Sequence, residues 1–397
     1  MLPENENNDN VDTFTLFGCW NKGKCDNTNV SDFTRVYKTL IKDTFNPDTY
    51  FILGDNQYPE KSSIKKDGIK IKTKKFIMDD MISGFQCLKE LRKPTFVLLG
   101  NHDIIQNIAE TDLIRTTSSE QPADCVILDL QQQFIKNTEN QMTTPFQKGF
   151  GISMHHIFPK TGVAMLMIDS NIYDEKDEDL DCLKRKFENQ KGLHENQKEE
   201  IGLFLDKNTV TDVFISMHHP LVTIKEKNEK NEKKEIKGGK GVSIIFLNEL
   251  FFDLLSFIHS KRSESAKLNP LHIFTADSHY YLETTIVLNI NSEKITIQQH
   301  IVGTGGAELD TDVFPYDNIP ETTLLNANIP NLEIISYTPS TFIDNKNGYL
   351  NCSLSANDYT FDFIEALPLG IAGKKRLTRK RKRSKRNKRA RYTHKTW

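Results

Sequence analysis

The sequence predicts an α/β fold, a layered sandwich with its chemistry gathered along one edge, on three observations. From Phe14 onward short apolar runs alternate with segments of helical spacing, the pattern of strands and helices packed in layers. After about residue 280 the alternation gives way to strands alone. And five of the apolar runs end in residues able to bind a metal or a phosphate.

Taken in order, "FTLFG" from Phe14 is a strand, and "SDFTRVYKTLIKDTF" has helical spacing with Ser31 or Asp32 as its cap. "TYFILGDN" is the second strand, "KKFIMDDMISGFQCLKEL" a helix and "TFVLLGNHD" the third strand. Next come "VAMLMIDS" (strand), "ENQKEEIGLFLDKN" (helix), "DVFISMHH" (strand), "SIIFLNELFFDLLSFIHS" (helix) and "LHIFTADSH" (strand). The closing strands are "YYLETTIVL", "KITIQQHIVG", "LEIISYT", "GYLNCSL" and "YTFDFIEA". Residues 1–11 and 367–397 read as disordered ends around a domain of residues 12–366, and the charged run Lys225–Gly241 as a mobile surface loop.

At 37% hydrophobic and 27% charged residues, the 397-residue chain can bury a core, and no apolar run is long enough to span a bilayer. The acidic, amide-rich start does not read as a secretory signal. Six cysteines without CxxC spacing suggest neither a zinc knuckle nor a disulfide framework, so a reducing compartment inside the cell is expected. The net charge of −2 hides a polarity: residues 374–397 hold fourteen Lys/Arg and no acid. Of 52 basic residues that leaves 38 elsewhere, against 54 acidic ones. A basic tail on an acidic body is expected to act as a handle for nucleic acid, another polyanion or an import receptor.

The strand ends carry the chemistry. They read "GCWN" at Gly18–Asn21, "GDNQY" at Gly54–Tyr58, "GNHD" at Gly100–Asp103, "SMHHP" at Ser216–Pro220 and "ADSH" at Ala276–His279. In open α/β sheets ligands bind beyond the carboxyl ends of the strands, so residues far apart in sequence can meet there. Asp55 offers a carboxylate able to bridge two cations, Asn101 a carbonyl oxygen, His218 and His279 imidazoles, and Tyr58 a phenolate. Mixed oxygen and nitrogen ligation suits Fe, Mn or Zn better than Ca or Mg.

In this order the motifs resemble those of the calcineurin-like metallophosphoesterases, and within them the purple acid phosphatase branch. That branch carries a first-motif Asp, then GDxxY, GNH[DE], a lone His before Tyr-Pro, and GHxH. "PFQKGFGISMHHIF…VAMLMIDSN" resembles the family's hairpin between its third and fourth motifs, and "QHIVGTGGAE" its glycine turn. The resemblance implies a four-layer α/β/β/α sandwich, a phosphorylated substrate, and two divalent or trivalent transition-metal ions (Fe, Zn or Mn). The first ion would be held by Cys19, Asp55, Tyr58 and His279, the second by Asp55, Asn101, His218 and Asp277. Catalysis would fall to His102, its ring steadied by Asp103, with Asn101, His102 and His219 contacting substrate. Two positions depart from the pattern, Cys19 where the family has Asp and Asp277 where it has His; both replacements are capable ligands.

Plainer readings stand beside these. Asp55 and Asn101 follow glycines and could be turn formers. Cys19 could be buried core, and Tyr58 could only pack. His218 and His219 are adjacent, so on a strand they would point to opposite faces and only one would be a ligand. His155, His156, Trp20 and Cys25 read as structural. Two rival functions remain at this level: a catalytically silent binding or scaffold protein, and a phosphodiesterase acting on nucleic acid.

Overall fold

Period-two alternation puts each central strand between two apolar layers, and that is what builds the sandwich. The computed structural model describes residues 10–25, 31–58, 60–66, 69–75, 78–104, 126–138, 141–144, 153–173, 190–222, 247–309, 329–356 and 358–367. All belong to one compact unit, Met1–Leu367. The charged run 225–241, the basic tail, and the N-terminus before residue 10 lie outside the described residues.

In chain order the first half runs β1 (Asp12–Phe17), α1 (Asp32–Leu40), β2 (Thr49–Ile52), β3 (Glu60–Lys66), β4 (Ile69–Lys75), α2 (Met78–Glu90) and β5 (Thr95–Val97). A one-turn helix α3 (Asn101–Ile104), α4 (Val126–Lys136), β6 (Met142–Thr143), β7 (Met154–Ile157) and β8 (Ala164–Met167) follow. The second half holds α5 (Gln190–Lys207), β9 (Val213–Ser216), α6 (Glu249–Lys261), α7 (Glu264–Lys267) and β10 (Leu271–Thr275). It closes with β11 (Tyr281–Ile290), β12 (Glu293–Val302), β13 (Leu332–Ile343), β14 (Gly348–Leu354) and β15 (Tyr359–Glu365).

Two mixed sheets result, ordered β15-β14-β1-β2-β5-β6 and β13-β11-β12-β10-β9-β8-β7. Three apolar cores separate four layers. Phe14, Leu16, Phe51, Met165, Met167, Phe214 and Phe274 meet between the sheets. Their sequence neighbours point the other way. Phe17, Tyr50 and Ile52 pack on α1, α2 and α4; Leu166, Val213, Ile215 and Ile273 pack on α5 and α6. Strands covered on both faces read as near-continuous apolar runs, as these do. The expected four-layer α/β sandwich is the observed one, and Ser31 caps α1 by accepting from the Thr34 amide at 3.1 Å.

Three features were not expected. The charged stretch after Tyr58 forms the separate β3–β4 ribbon. The helix α4 is a further element between the third and fourth motifs. Most consequentially, Cys25 and Cys87 form a disulfide across 62 residues, which corrects the expectation of unpaired cysteines. The pairing is tertiary: the segment after β1 folds onto α2, and no local spacing announces it. Cys19 and Cys352 are not disulfide-bonded. No helix among the described residues is long and apolar enough to cross a membrane.

Between the sheets, His272 and His300 lie with ring nitrogens 3.4 Å apart, packed against Phe361 and Phe274. Burial, then the Arg262 charge, lowers His272 from 6.5 to about 3. Burial, then His272, holds His300 well below its usual range. An unfolded chain protonates both below about pH 6.5, while the folded chain keeps them neutral. The unfolded state therefore binds more protons in the window between about 6.5 and 3. Their contribution is complete above about pH 6.5 and is lost as pH falls below it. Urea midpoints measured between pH 7 and 5 should fall more steeply in the wild type than in His272→Phe.

Candidate metal centre

The strands β1, β2 and β5 run parallel in one sheet, and β8, β9 and β10 in the other. Backbone hydrogen bonds tie their carboxyl ends together within each sheet and, through Ala307 after β12, between the two sheets. Cys19 N–H donates to the Gly54 carbonyl (3.0 Å), Ala307 N–H to the Cys19 carbonyl (2.8 Å) and Ala276 N–H to the His218 carbonyl (2.9 Å). The five motifs thus converge, and the sequence spacing between them becomes irrelevant.

Two clusters form at this edge. The Cys19, Asp55 and His279 donor atoms lie within 4.8 Å of one another, and so do those of His218, His219 and Asp277. Asp55 joins the two, because its Oδ2 faces Cys19 Sγ at 3.7 Å while its Oδ1 faces His218 Nε2 at 3.4 Å. His218 Nε2 is also 3.8 Å from Asp277 Oδ1. Tyr58 donates its hydroxyl to Asp55 Oδ2 at 2.7 Å and stands 3.1 Å from His279 Nε2.

Both expected histidine ligands are held in the tautomer a metal needs. His218 Nδ1–H donates to the Leu53 carbonyl at 2.7 Å, and His279 Nδ1–H to the Glu308 carbonyl. Each Nε2 lone pair is thereby left pointing into the cluster, the usual outer arrangement of a metal-bound imidazole. Asn101 Oδ1 and His218 Nε2 are buried without a hydrogen-bond partner among the described residues. Unsatisfied buried polar atoms are costly, and a cation would satisfy both. The donor set present fits a metal pair.

The backbone points the same way. Cys19, Asp55 and Asp277 have φ of 52°, 54° and 48°, a left-handed conformation that costs roughly 1–2 kcal/mol per residue and concentrates at functional sites. Glycine is required beside them. A Cβ on Gly100 would come 2.2 Å from Asp55 Oδ1 and 2.6 Å from His218 Cε1. Gly100→Ala should accordingly cost about 1–3 kcal/mol through overpacking and disperse both clusters. Its melting temperature and metal content, against wild type, check this.

Electrostatics favour an ionised Asp55. Burial raises its pKa, but His218, His102 and the Tyr58 hydrogen bond together hold it below the ordinary carboxylate value. Burial, then the Asp55 and Cys19 charges, pushes the Tyr58 phenol well up, so it donates its proton to Asp55.

Two expectations are corrected. Asp103 does not steady the His102 ring. Its buried carboxylate accepts from Gly100 N–H (2.8 Å), Asn56 N–H (3.0 Å) and the Gln131 amide (3.0 Å), pinning the turns after β2 and β5. Burial, then the Asp55 charge, raises it to about 7. The His102 ring instead packs on Tyr58 at 4.8 Å, and its backbone N–H donates to Asp55 Oδ1 at 3.0 Å. Nor do His218 and His219 point to opposite faces. β9 ends at Ser216, so both lie in the bend beyond it, where strand alternation no longer applies.

Ser170 separates their roles. Its hydroxyl oxygen accepts from the His218 and His219 amides (3.2 and 3.1 Å), so its proton is left for His219 Nδ1 at 2.9 Å. In that tautomer His219 carries its own proton on Nε2, and the residue lies in the cluster with His218 and Asp277. Sequence reading missed Ser170, Asn56 and Gln131. Asn56, inside "GDNQY", and Ser170, inside "VAMLMIDSN", lay where motifs drew attention; the Asn56 amide donates to the Leu98 carbonyl at 2.7 Å, and its oxygen accepts the Trp20 indole N–H at 2.9 Å. His155 and His156 do lie on opposite faces, stacked on Phe204 and packed among Phe51, Phe96 and Phe158 respectively.

No family model matches the sequence, and no curated protein matches it. Among solved structures, a chain described as "Structure of PhoD" matches with 14% identity and a TM-score of 0.46, over 90% of this chain and 66% of that one. This chain thus spans just under two thirds of that chain's length.

Proposed function

We propose that the chain is a metal-dependent phosphoester hydrolase, a phosphomonoesterase of the purple acid phosphatase type. The observation that carries this reading is the pair of imidazoles, His218 and His279, each with Nδ1–H fixed on a backbone carbonyl and Nε2 turned toward Asp55 or its partner Tyr58. Cys19, Asp55, Tyr58 and His279 would hold one transition-metal ion, and Asp55, Asn101, His218 and Asp277 the other. When bound, such a pair supplies Lewis acidity and an activated water for in-line attack on phosphorus.

The remaining residues handle the substrate. His102 is only half-buried and its backbone is fixed by Asp55, which leaves its ring to protonate the departing oxygen. His219, with its proton on Nε2, donates to a phosphoryl oxygen. Asp103 acts through the turns it pins and does not touch substrate.

Elemental analysis of purified protein beside hydrolysis of a generic aryl phosphate tests the reading. Metal with turnover supports it; metal without turnover would favour a silent binding protein, and turnover of diesters alone a phosphodiesterase. Cys19 gives a sharper expectation. Thiolate is a softer ligand than carboxylate, so Cys19→Asp should keep both ions and shift preference toward Mn, while Cys19→Ala should lose one ion per chain. Equal metal content in wild type and Cys19→Ala would make Cys19 an ordinary buried residue.

A further inference from the structure

We propose a second small-molecule site at the common edge of the two sheets, and that it takes a nucleobase or nucleoside. The edge strands β6 and β7 belong to different sheets. Beside them and the carboxyl half of α5 lies a cavity of about 480 Å³, within the roughly 300–1,000 Å³ usual for ligand pockets. None of the candidate metal ligands lines it.

Its lining is built rather than incidental. Thr144 lines it, is 3% exposed, and its hydroxyl has no hydrogen-bond partner among the described residues. Buried hydroxyls are ordinarily satisfied, so this one asks for a polar atom from a ligand. The His155 and Phe204 rings lie nearly parallel with centroids 4.2 Å apart, giving a layered aromatic wall. Ser153 ties that wall down, since its hydroxyl is 2.9 Å from His155 Nε2 and its amide donates to Glu200 Oε2 at 3.2 Å.

The chemistry narrows the ligand. A purely aliphatic molecule would leave the Thr144 hydroxyl unsatisfied. Glu200 and Lys207 both line it, so its one acidic and one basic side chain balance and the lining does not select an anion. A neutral planar ring with a hydrogen-bonding edge satisfies both conditions, and base-on-aromatic stacking tolerates any of the four bases. This inference stands apart from the proposed hydrolysis.

Calorimetric titration of the full chain with adenosine, guanosine, cytidine and uridine tests it, because free nucleosides carry no phosphate for the strand-end site. At least one should bind saturably. Thr144→Val, which keeps the shape and removes the hydroxyl, should weaken that binding about tenfold, the size of one buried hydrogen bond. Phe204→Leu should weaken it about tenfold or more through lost stacking. Should Thr144→Val fail to fold, Phe204→Leu decides alone. Absence of binding by all four nucleosides at millimolar concentration overturns the proposal, as does wild-type affinity in a folded variant.

Discussion

Asp55→Asn is expected to abolish aryl phosphate hydrolysis, by roughly 10³-fold or more, and to strip transition metal from the protein. The size follows from position. Asp55 faces Cys19 through one oxygen and His218 through the other, so its charge serves both clusters. One preorganised electrostatic group already contributes about 10²–10³-fold in well-studied sites, and this one supports two. The amide keeps the carboxylate's shape but has one acceptor oxygen. That oxygen can keep the His102 N–H, while the amide NH2 takes the place of the oxygen that accepts from Tyr58, whose hydroxyl can turn to His279 Nε2. The fold should therefore survive, with melting temperature close to that of metal-free wild type. Full activity in this variant would end the two-metal reading.

His102→Ala should behave differently, losing about 10²–10⁴-fold in activity, the usual worth of a positioned acid or base, with metal content unchanged. Its side chain belongs to neither cluster; what ties this position to Asp55 is the backbone amide at 3.0 Å, which alanine keeps. The ring's packing on Tyr58 is a modest loss at a half-buried position. A variant that lost metal along with activity would instead make the ring a structural support of Tyr58. The two substitutions together separate ligand from acid: one removes metal and turnover, the other turnover alone.

The layers and the site's location were legible because strand alternation and strand-end motifs are local patterns. Phe14, Leu16 and Phe17 declare two apolar faces within four residues, and "GDNQY" and "GNHD" mark the turns that follow β2 and β5. What failed to show is what the tertiary fold decides. Asp103 follows His102 in sequence, yet its partners are Gly100, Asn56 and Gln131, the last supplied by α4. His218 and His219 look like alternating strand residues until one knows that β9 stops at Ser216. The Cys25–Cys87 bond joins positions 62 residues apart and depends on the segment after β1 folding onto α2. The β3–β4 ribbon was hidden by composition: "IKIKTKK" alternates, but its lysines mask a strand among charged loops.

The most direct test of the account is to count and locate the ions. Elemental analysis of the purified full chain, with anomalous diffraction from its crystals, should find two transition-metal ions per chain sharing Asp55. One should lie beside Cys19 and His279 and the other beside Asn101, His218 and Asp277. Protein that takes up no metal when Fe, Zn or Mn is supplied, or that binds its ions away from Asp55, would contradict it.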